Sequence, residues 1–310
     1  MAKAEFKPRR KLLDPDVLAR MSRLELVARQ AVEGFLSGKH PSPYHGSSVE
    51  YADHRPYTIG DEISKIDWKI LARTDKHYVK LFEEQTNARA TILLDMSRSM
   101  AFSGEAKNKK NPTISKYEYG AFLASAIAYL MLQQNDAVGL VTFDSKVREY
   151  VPGRTTASHF RRMIDVMQNA TLKDETTIAP ILHEMAGRLP GRGLIILISD
   201  LIDDVDTIAD GLAHFRYERN DVIVFHIVDP DELEFPYQRM TRFRDMEGGG
   251  TIIANAQTVR AKYLERMQEF LTQVRGVCHE RDVSYELART DTPYEQLLTA
   301  YLHQRSRLTR

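Results

Sequence analysis

Thr91-Ile92-Leu93-Leu94-Asp95-Met96-Ser97-Arg98-Ser99 is the stretch whose reading decides the fold. An apolar run of strand-like residues stops abruptly at Asp95, and hydroxyls follow at positions 97 and 99. Three oxygen-bearing side chains therefore crowd the end of one buried strand. Oxygen-only donors suit magnesium, manganese or calcium, whereas zinc and copper usually recruit His or Cys, and neither is found in this stretch. The same residues equally make an ordinary Asp/Ser turn or helix cap, because Asp-x-Ser-x-Ser arises often by chance. The surrounding chain has to decide.

Outward from this stretch the pattern alternates strand and helix. Ala90 to Leu94, Ala137 to Phe143, Gly193 to Ser199 and Val222 to Val228 are apolar runs of the kind found in the covered centre of a parallel sheet. Between them lie helical repeats: Tyr119, Phe122, Leu123, Ala126, Ile127, Leu130 and Met131 recur at 3.6-residue spacing behind a capping box at Ser115 and Glu118. Further helices are expected over 157–168, from a start with Pro180 in its first turn and Ile181, Leu182, Met185 and Leu189 on its apolar face, from Val205 to Phe215, over 256–279 and over 294–305. A short edge strand is expected from Lys146 to Val151, a hairpin around Gly248-Gly249-Gly250, and a last strand over 284–287. Such alternation predicts an α/β fold with a mostly parallel sheet and helices on both faces. Ligands bind these sheets at the carboxyl ends of the strands. The strand ending at Ser199 delivers Asp200 to the same edge as Asp95, and a loop carrying Thr176 enters its helix from that edge. Asp95, Ser97, Ser99, Thr176 and Asp200 can therefore converge.

Composition bounds the function. At 310 residues the chain accommodates one large α/β domain, or a domain and a smaller companion. Basic and acidic residues balance at 43 each, so no global field favours nucleic acid or an anionic membrane. The longest apolar stretch, near Ala121 to Leu132, is too short to span a bilayer, and direct membrane insertion is not expected. The N-terminus lacks the apolar core of a secretion signal, and a single cysteine, Cys278, excludes an internal disulfide. The expected compartment is the cytoplasm.

Residues 1–13 read as a disordered basic tail. A helix should begin at Asp14, with Pro15 in its first turn, and carry the stripe Val17, Met21, Leu24, Ala28, Ala31 and Phe35. This helix and a polar-aromatic, β-rich extension fill residues 14–87. There Trp68, the only tryptophan, is expected to anchor a satellite core, and Asp61, Asp67, Lys69 and Arg73 around it form either a buried ion-pair network, the favoured reading, or a partner contact. The main domain then occupies 88–290, and a C-terminal helix in 291–310 packs on it.

The order Asp95-x-Ser97-x-Ser99, a loop Thr176 and Asp200 after a later apolar strand resembles the metal-ion-dependent adhesion site (MIDAS) of von Willebrand factor type A domains. The resemblance implies a doubly wound sheet. It also implies a site in which Ser97, Ser99 and Thr176 bind Mg2+, Mn2+ or Ca2+, Asp95 and Asp200 support them through water, and a partner's acidic group completes the shell. Thr176 fits this better than Thr177, because Ile178 and Leu182 then fall at the family's apolar positions. Arg55-Pro56-Tyr57, Gly60-Asp61, Ile66-Asp67-Trp68, Ala72-Arg73-Thr74 and Phe82-Glu83-Glu84 are similar to the signature of the domain of unknown function 58 family. Its members place this signature directly before a von Willebrand A-like domain and are commonly associated with MoxR-type AAA+ ATPases. The resemblance therefore implies a non-catalytic adaptor that works with such an ATPase, or on an acidic client protein, in assembly or maturation. Many members carry membrane helices before the signature; none precedes it here, which implies a soluble form.

Two other function classes compete. In one, the cation is absent and the fold alone presents a binding surface. In the other, Asp95 is the nucleophile of a metal-dependent phosphohydrolase, although a dehalogenase-type phosphatase would carry a second Asp at position 97. No Gly-x-x-x-x-Gly-Lys-Ser/Thr loop is present, so ATP hydrolysis by the chain itself is not expected.

Overall fold

The computed structural model describes residues 49–58, 68–74, 77–84, 89–104, 114–172, 178–189, 191–246 and 250–308. The tail over 1–13, the helix expected over 14–35, and Asp61, Asp67 and Thr176 lie outside them. Two compact units form, one spanning Leu36–Asn87 and a larger one that carries Ala88–Arg310.

In the smaller unit, β1 (Val49–Pro56) pairs antiparallel with β2 (Tyr78–Glu84), with a register shift between Tyr51 and Asp53. A short helix, α1 (Trp68–Thr74), lies between them in the chain. Trp68 is 59% exposed, so it is not the core anchor expected of it. A large aromatic left in water by its own unit has an amphipathic face free for other contacts.

The larger unit begins with β3 (Arg89–Asp95), α2 (Lys116–Gln133), β4 (Ala137–Phe143), β5 (Val147–Arg154) and α3 (Ala157–Gln168). It continues with α4 (Ile178–Arg188), β6 (Leu194–Ser199), α5 (Val205–Tyr217), β7 (Asp221–Val228) and α6 (Pro230–Glu234). The hairpin β8 (Met240–Arg244) and β9 (Thr251–Asn255), then α7 (Ala256–Glu280), β10 (Ser284–Arg289) and α8 (Tyr294–Leu308), complete it. Six strands make one sheet in the order β10-β7-β6-β3-β4-β5, parallel throughout except that β5 runs antiparallel to β4 at the edge.

Alternation along the central strands divides the core in two. Ile92 and Leu94, Ile196 and Ile198, and Phe225 and Ile227 face one side, where α2, α3 and α8 cover them with Leu123, Met163 and Tyr301 among others. Leu93, Ile195, Leu197 and Val224 face the other, under α4, α5 and α7 with Leu182, Leu212 and Cys278. A strand buried on both faces carries few polar positions before it ends, which is why these strands read as near-continuous apolar runs, His226 in β7 and Thr142 in β4 being exceptions. Each fully buried Leu, Ile or Phe contributes about 1.5–3 kcal/mol. α2 is buried along nearly its whole first four turns, from Lys116 to Ala128. The capping box expected at its start is present: Ser115 Oγ accepts from the Glu118 amide, and the Glu118 carboxylate accepts from the Ser115 amide. This fold is von Willebrand A-like, as expected, and its doubly wound order brings β3, β6 and β7 side by side with their carboxyl ends on one edge.

Candidate functional site

Asp95 is the last residue of β3 and lies beside the end of β6, where Leu94 pairs with Ile198. Both of its oxygens are engaged. Oδ1 accepts from the Ser97 amide at 2.8 Å and Oδ2 from Ser199 Oγ at 2.6 Å. Ser199 Oγ in turn accepts from the Leu201 amide at 2.9 Å, so one hydroxyl links the two strand ends. Ser97 Oγ and Ser99 Oγ lie 3.0 Å apart. Asp95, Ser97, Ser99, Ser199 and Asp200 are all buried.

The backbone at the end of β6 is strained. Leu201 sits at φ 54°, a left-handed conformation unusual for a branched side chain, and it is fully buried. Such a residue persists only where its surroundings hold it. Here the holding contacts are its amide bond to Ser199 Oγ, and its carbonyl, which accepts from the Asp203 amide at 2.8 Å. Asp203 Oδ2 also accepts from the Ile178 amide at 2.8 Å. Thr176 is not described, but Ile178, two residues beyond it, is therefore tied to the loop that carries Asp200.

The electrostatics of the edge are uneven. Burial pushes the Asp95 carboxyl up to about 7, and the nearby negative charge of Asp200 adds to the rise; hydrogen bonds from Ser199 and Ser97 oppose it. Asp200 has a compensating charge. Lys116, the first residue of α2 and only 1% exposed, places Nζ 2.8 Å from Asp200 Oδ2 and 2.7 Å from Glu232 Oε1. Burial works against the ammonium, but the carboxylates of Asp200 and Glu232 more than reverse that and hold it above the ordinary lysine range. The Phe102 ring lies 5.8 Å from Nζ. Glu232 uses its other oxygen as a cap, Oε2 accepting from the Asp229 amide at 2.8 Å. Beneath the edge, His226 is buried and its imidazole is pushed down to about 4, chiefly by burial, with Asp200 opposing the fall.

The described donors fit a hard divalent cation. Two ligand oxygens in adjacent octahedral positions at 2.0–2.1 Å from magnesium stand about 3 Å apart, which is the separation of the two serine hydroxyls. A positive charge beside Asp95 would also relieve the cost of ionising it next to Asp200. No group of three or more His, Cys, Asp or Glu side chains is placed to hold a metal among the described residues.

Of the residues expected at the site, Asp95, Ser97, Ser99 and Asp200 come together at one edge. Three further residues were not foreseen: Ser199, Lys116 and Glu232. Lys116 carried a signal in the sequence, since a lysine at the first position of an otherwise apolar helix opposes the helix dipole and needs a local carboxylate to explain it. The acidic run at the start of α5 supplies its cap: Asp204 Oδ1 accepts from the Asp206 and Thr207 amides, both at 3.1 Å.

Asp229, at the end of β7, fastens the loop that follows the two serines. Its Oδ2 accepts from the Gly104 amide at 3.0 Å and from Thr290 Oγ1 at 3.2 Å. A β-carbon on Gly104 would stand 2.5 Å from Asp229 Oδ1 and 2.7 Å from Asp231 Oδ2. Gly104→Ala should therefore lower stability by about 1–3 kcal/mol, read as a shifted urea midpoint at unchanged slope; an unshifted midpoint would show that the loop gives way freely.

The family described as "Protein of unknown function DUF58" matches residues 53–271. The chain belongs to this family. DUF58 relatives include the uncharacterized protein Rv1480 of Mycobacterium tuberculosis, 25% identical over 239 residues, which are 76% of this chain and 73% of that protein. Among solved structures, an aerotolerance-related membrane protein from Bacteroides fragilis is similar at TM-score 0.48 and 17% identity, over 71% of this chain and 99% of that one. The SpRpn10 VWA domain is similar at TM-score 0.37 and 11% identity, over 71% and 95%.

These neighbours correct the cytoplasmic expectation. The Bacteroides protein is by its own description a membrane protein, so the cytoplasmic expectation does not stand. Among the described residues, no helix is long and apolar enough to cross a membrane.

Proposed function

We propose that this DUF58 chain is a non-catalytic protein-binding module that captures an acidic group of a partner at the carboxyl edge of its sheet. In this reading Ser97, Ser99 and Thr176 hold a divalent cation, with Asp95 and Asp200 supporting them. The bound ion supplies an open coordination position for a carboxylate. The observation that carries the reading is the buried pair of serine hydroxyls 3.0 Å apart beside Asp95. Ligands that are mainly neutral hydroxyls leave a cation electrophilic towards an outside acid. Von Willebrand A-like folds commonly mediate protein interactions, and the DUF58 signature favours a MoxR-type AAA+ ATPase, or an acidic client of it, as the partner. A binding role rather than hydrolysis is supported by Asp95, whose two oxygens already accept hydrogen bonds from the Ser97 amide and Ser199.

In a sample first stripped of metal, Mg2+ or Mn2+ at a hundredfold its dissociation constant should stabilise the fold by about 2.7 kcal/mol. Asp95→Ala or Ser97→Ala should abolish that shift and the capture of a MoxR-type ATPase, while the protein stays folded. Equal capture by the folded variants, or in chelator, would sink the reading. A second reading, a scaffold that binds without a cation, is favoured by one observation: the Lys116 ammonium already compensates Asp200. No thermal shift with metal, but undiminished capture, would support it.

A further inference from the structure

Lys116 is the one buried cation that contacts the site among the described residues, and nothing in helix formation calls for it. It opens α2, where the dipole disfavours a positive charge, and an apolar residue would satisfy the packing of a helix buried along this length. Its two partners come from different strand ends, Asp200 after β6 and Glu232 after β7. Both contacts are short and the ammonium is shielded from water, so its charge acts on Asp200 with little screening. Asp200 Oδ1, by contrast, meets only the Ile202 amide among the described residues, at 3.4 Å.

We infer that Lys116 is a resident cation that competes with the divalent ion for Asp200 and so holds the metal affinity of this site down. The inference rests on the proposed cation site. One oxygen of Asp200 is committed to the ammonium, and the charge that would attract a divalent ion is correspondingly reduced. Among the described residues Asp95 has hydrogen-bond donors but no cation as a partner. A site weakened in this way binds its cation firmly only when an outside carboxylate adds its own charge, which couples metal binding to partner binding.

A purely structural tie between the two strand ends makes the opposite prediction. Removing a tie loosens Asp200 and weakens metal binding, whereas removing a competitor strengthens it. The test is calorimetric titration of Mn2+ into metal-stripped wild type, Lys116→Arg, Lys116→Met and the charge-balanced double variant Lys116→Met/Glu232→Gln, each first shown by near-ultraviolet circular dichroism to keep its tertiary packing. The double variant keeps the question answerable if the single one does not fold. Tightening of Mn2+ by tenfold or more in the double variant, with Lys116→Arg within about threefold of wild type, is the expected result. Wild-type binding that is unchanged or weaker in the double variant overturns the inference and leaves the cation site standing. Mn2+ binding in no protein, at millimolar concentration, overturns both. Binding by the double variant alone supports the competition and makes the wild-type chain the metal-free scaffold.

Discussion

Metal-stripped protein should lose on the order of 4 kcal/mol of stability between pH 4 and pH 8 relative to its Asp95→Asn variant. The cause is the buried Asp95 carboxyl, raised to about 7 by burial and by Asp200. Between the ordinary aspartate range and about 7, the unfolded chain has released this proton while the folded chain still binds it. Stability from this group is therefore fully present at low pH and is lost as pH rises through the folded value. His226 works in the opposite sense: its folded value, about 4, is depressed, so its contribution is present near neutral pH and lost as pH falls through that value. The two windows overlap, so the slope of the wild type alone is not diagnostic and the difference from Asp95→Asn is. Saturating Mg2+ should abolish the difference, because a neighbouring cation favours the carboxylate. Parallel pH profiles for the two proteins in chelator would show that Asp95 carries no such penalty.

The second large effect is on folding. Lys116→Met should cost about 3–5 kcal/mol in chelator, because removing one partner leaves the buried Asp200 and the partly buried Glu232 without compensation. A domain is stable by only about 5–15 kcal/mol, so the loss is a large part of the total. Glu232→Gln on that background should recover part of it by removing one of the two stranded charges, Asp200 remaining. Guanidinium denaturation followed by fluorescence reads both values. A Lys116→Met midpoint equal to that of the wild type would mean that water reaches Asp200 and Glu232 freely.

Much of the fold was legible because buried parallel strands leave few alternatives. Ala90 to Leu94 and Gly193 to Ser199 could be only strands or buried helix segments, and their length and bounding aspartates chose strands. The same logic places Asp95 and Asp200 on one edge. Legibility failed where a residue's surroundings come from elsewhere in the chain. Trp68 looked like a core anchor by type and is 59% exposed. The scattered histidines show no metal spacing, yet packing of α4 on α5 brings His183 Nδ1 and His214 Nδ1 to 3.1 Å. Ser199 passed as the last residue of an apolar run, though its hydroxyl joins β3 to β6.

The opening stretch, Thr91 to Ser99, by itself determined a strand, its end, and the chemistry of the side chains delivered there. Hydrophobic burial acts on local pattern and can be read along the chain. Only the tertiary structure decided that Lys116 from α2 would meet both Asp200 and Glu232 from beyond β7, at 2.8 and 2.7 Å. That meeting depends on strand order, because β6 lies between β3 and β7 and exposes Asp200 to both neighbours at once. Charges in a buried edge act over a few ångströms and take their strength from the exclusion of water. No spacing within one segment reports which charges share that dry space.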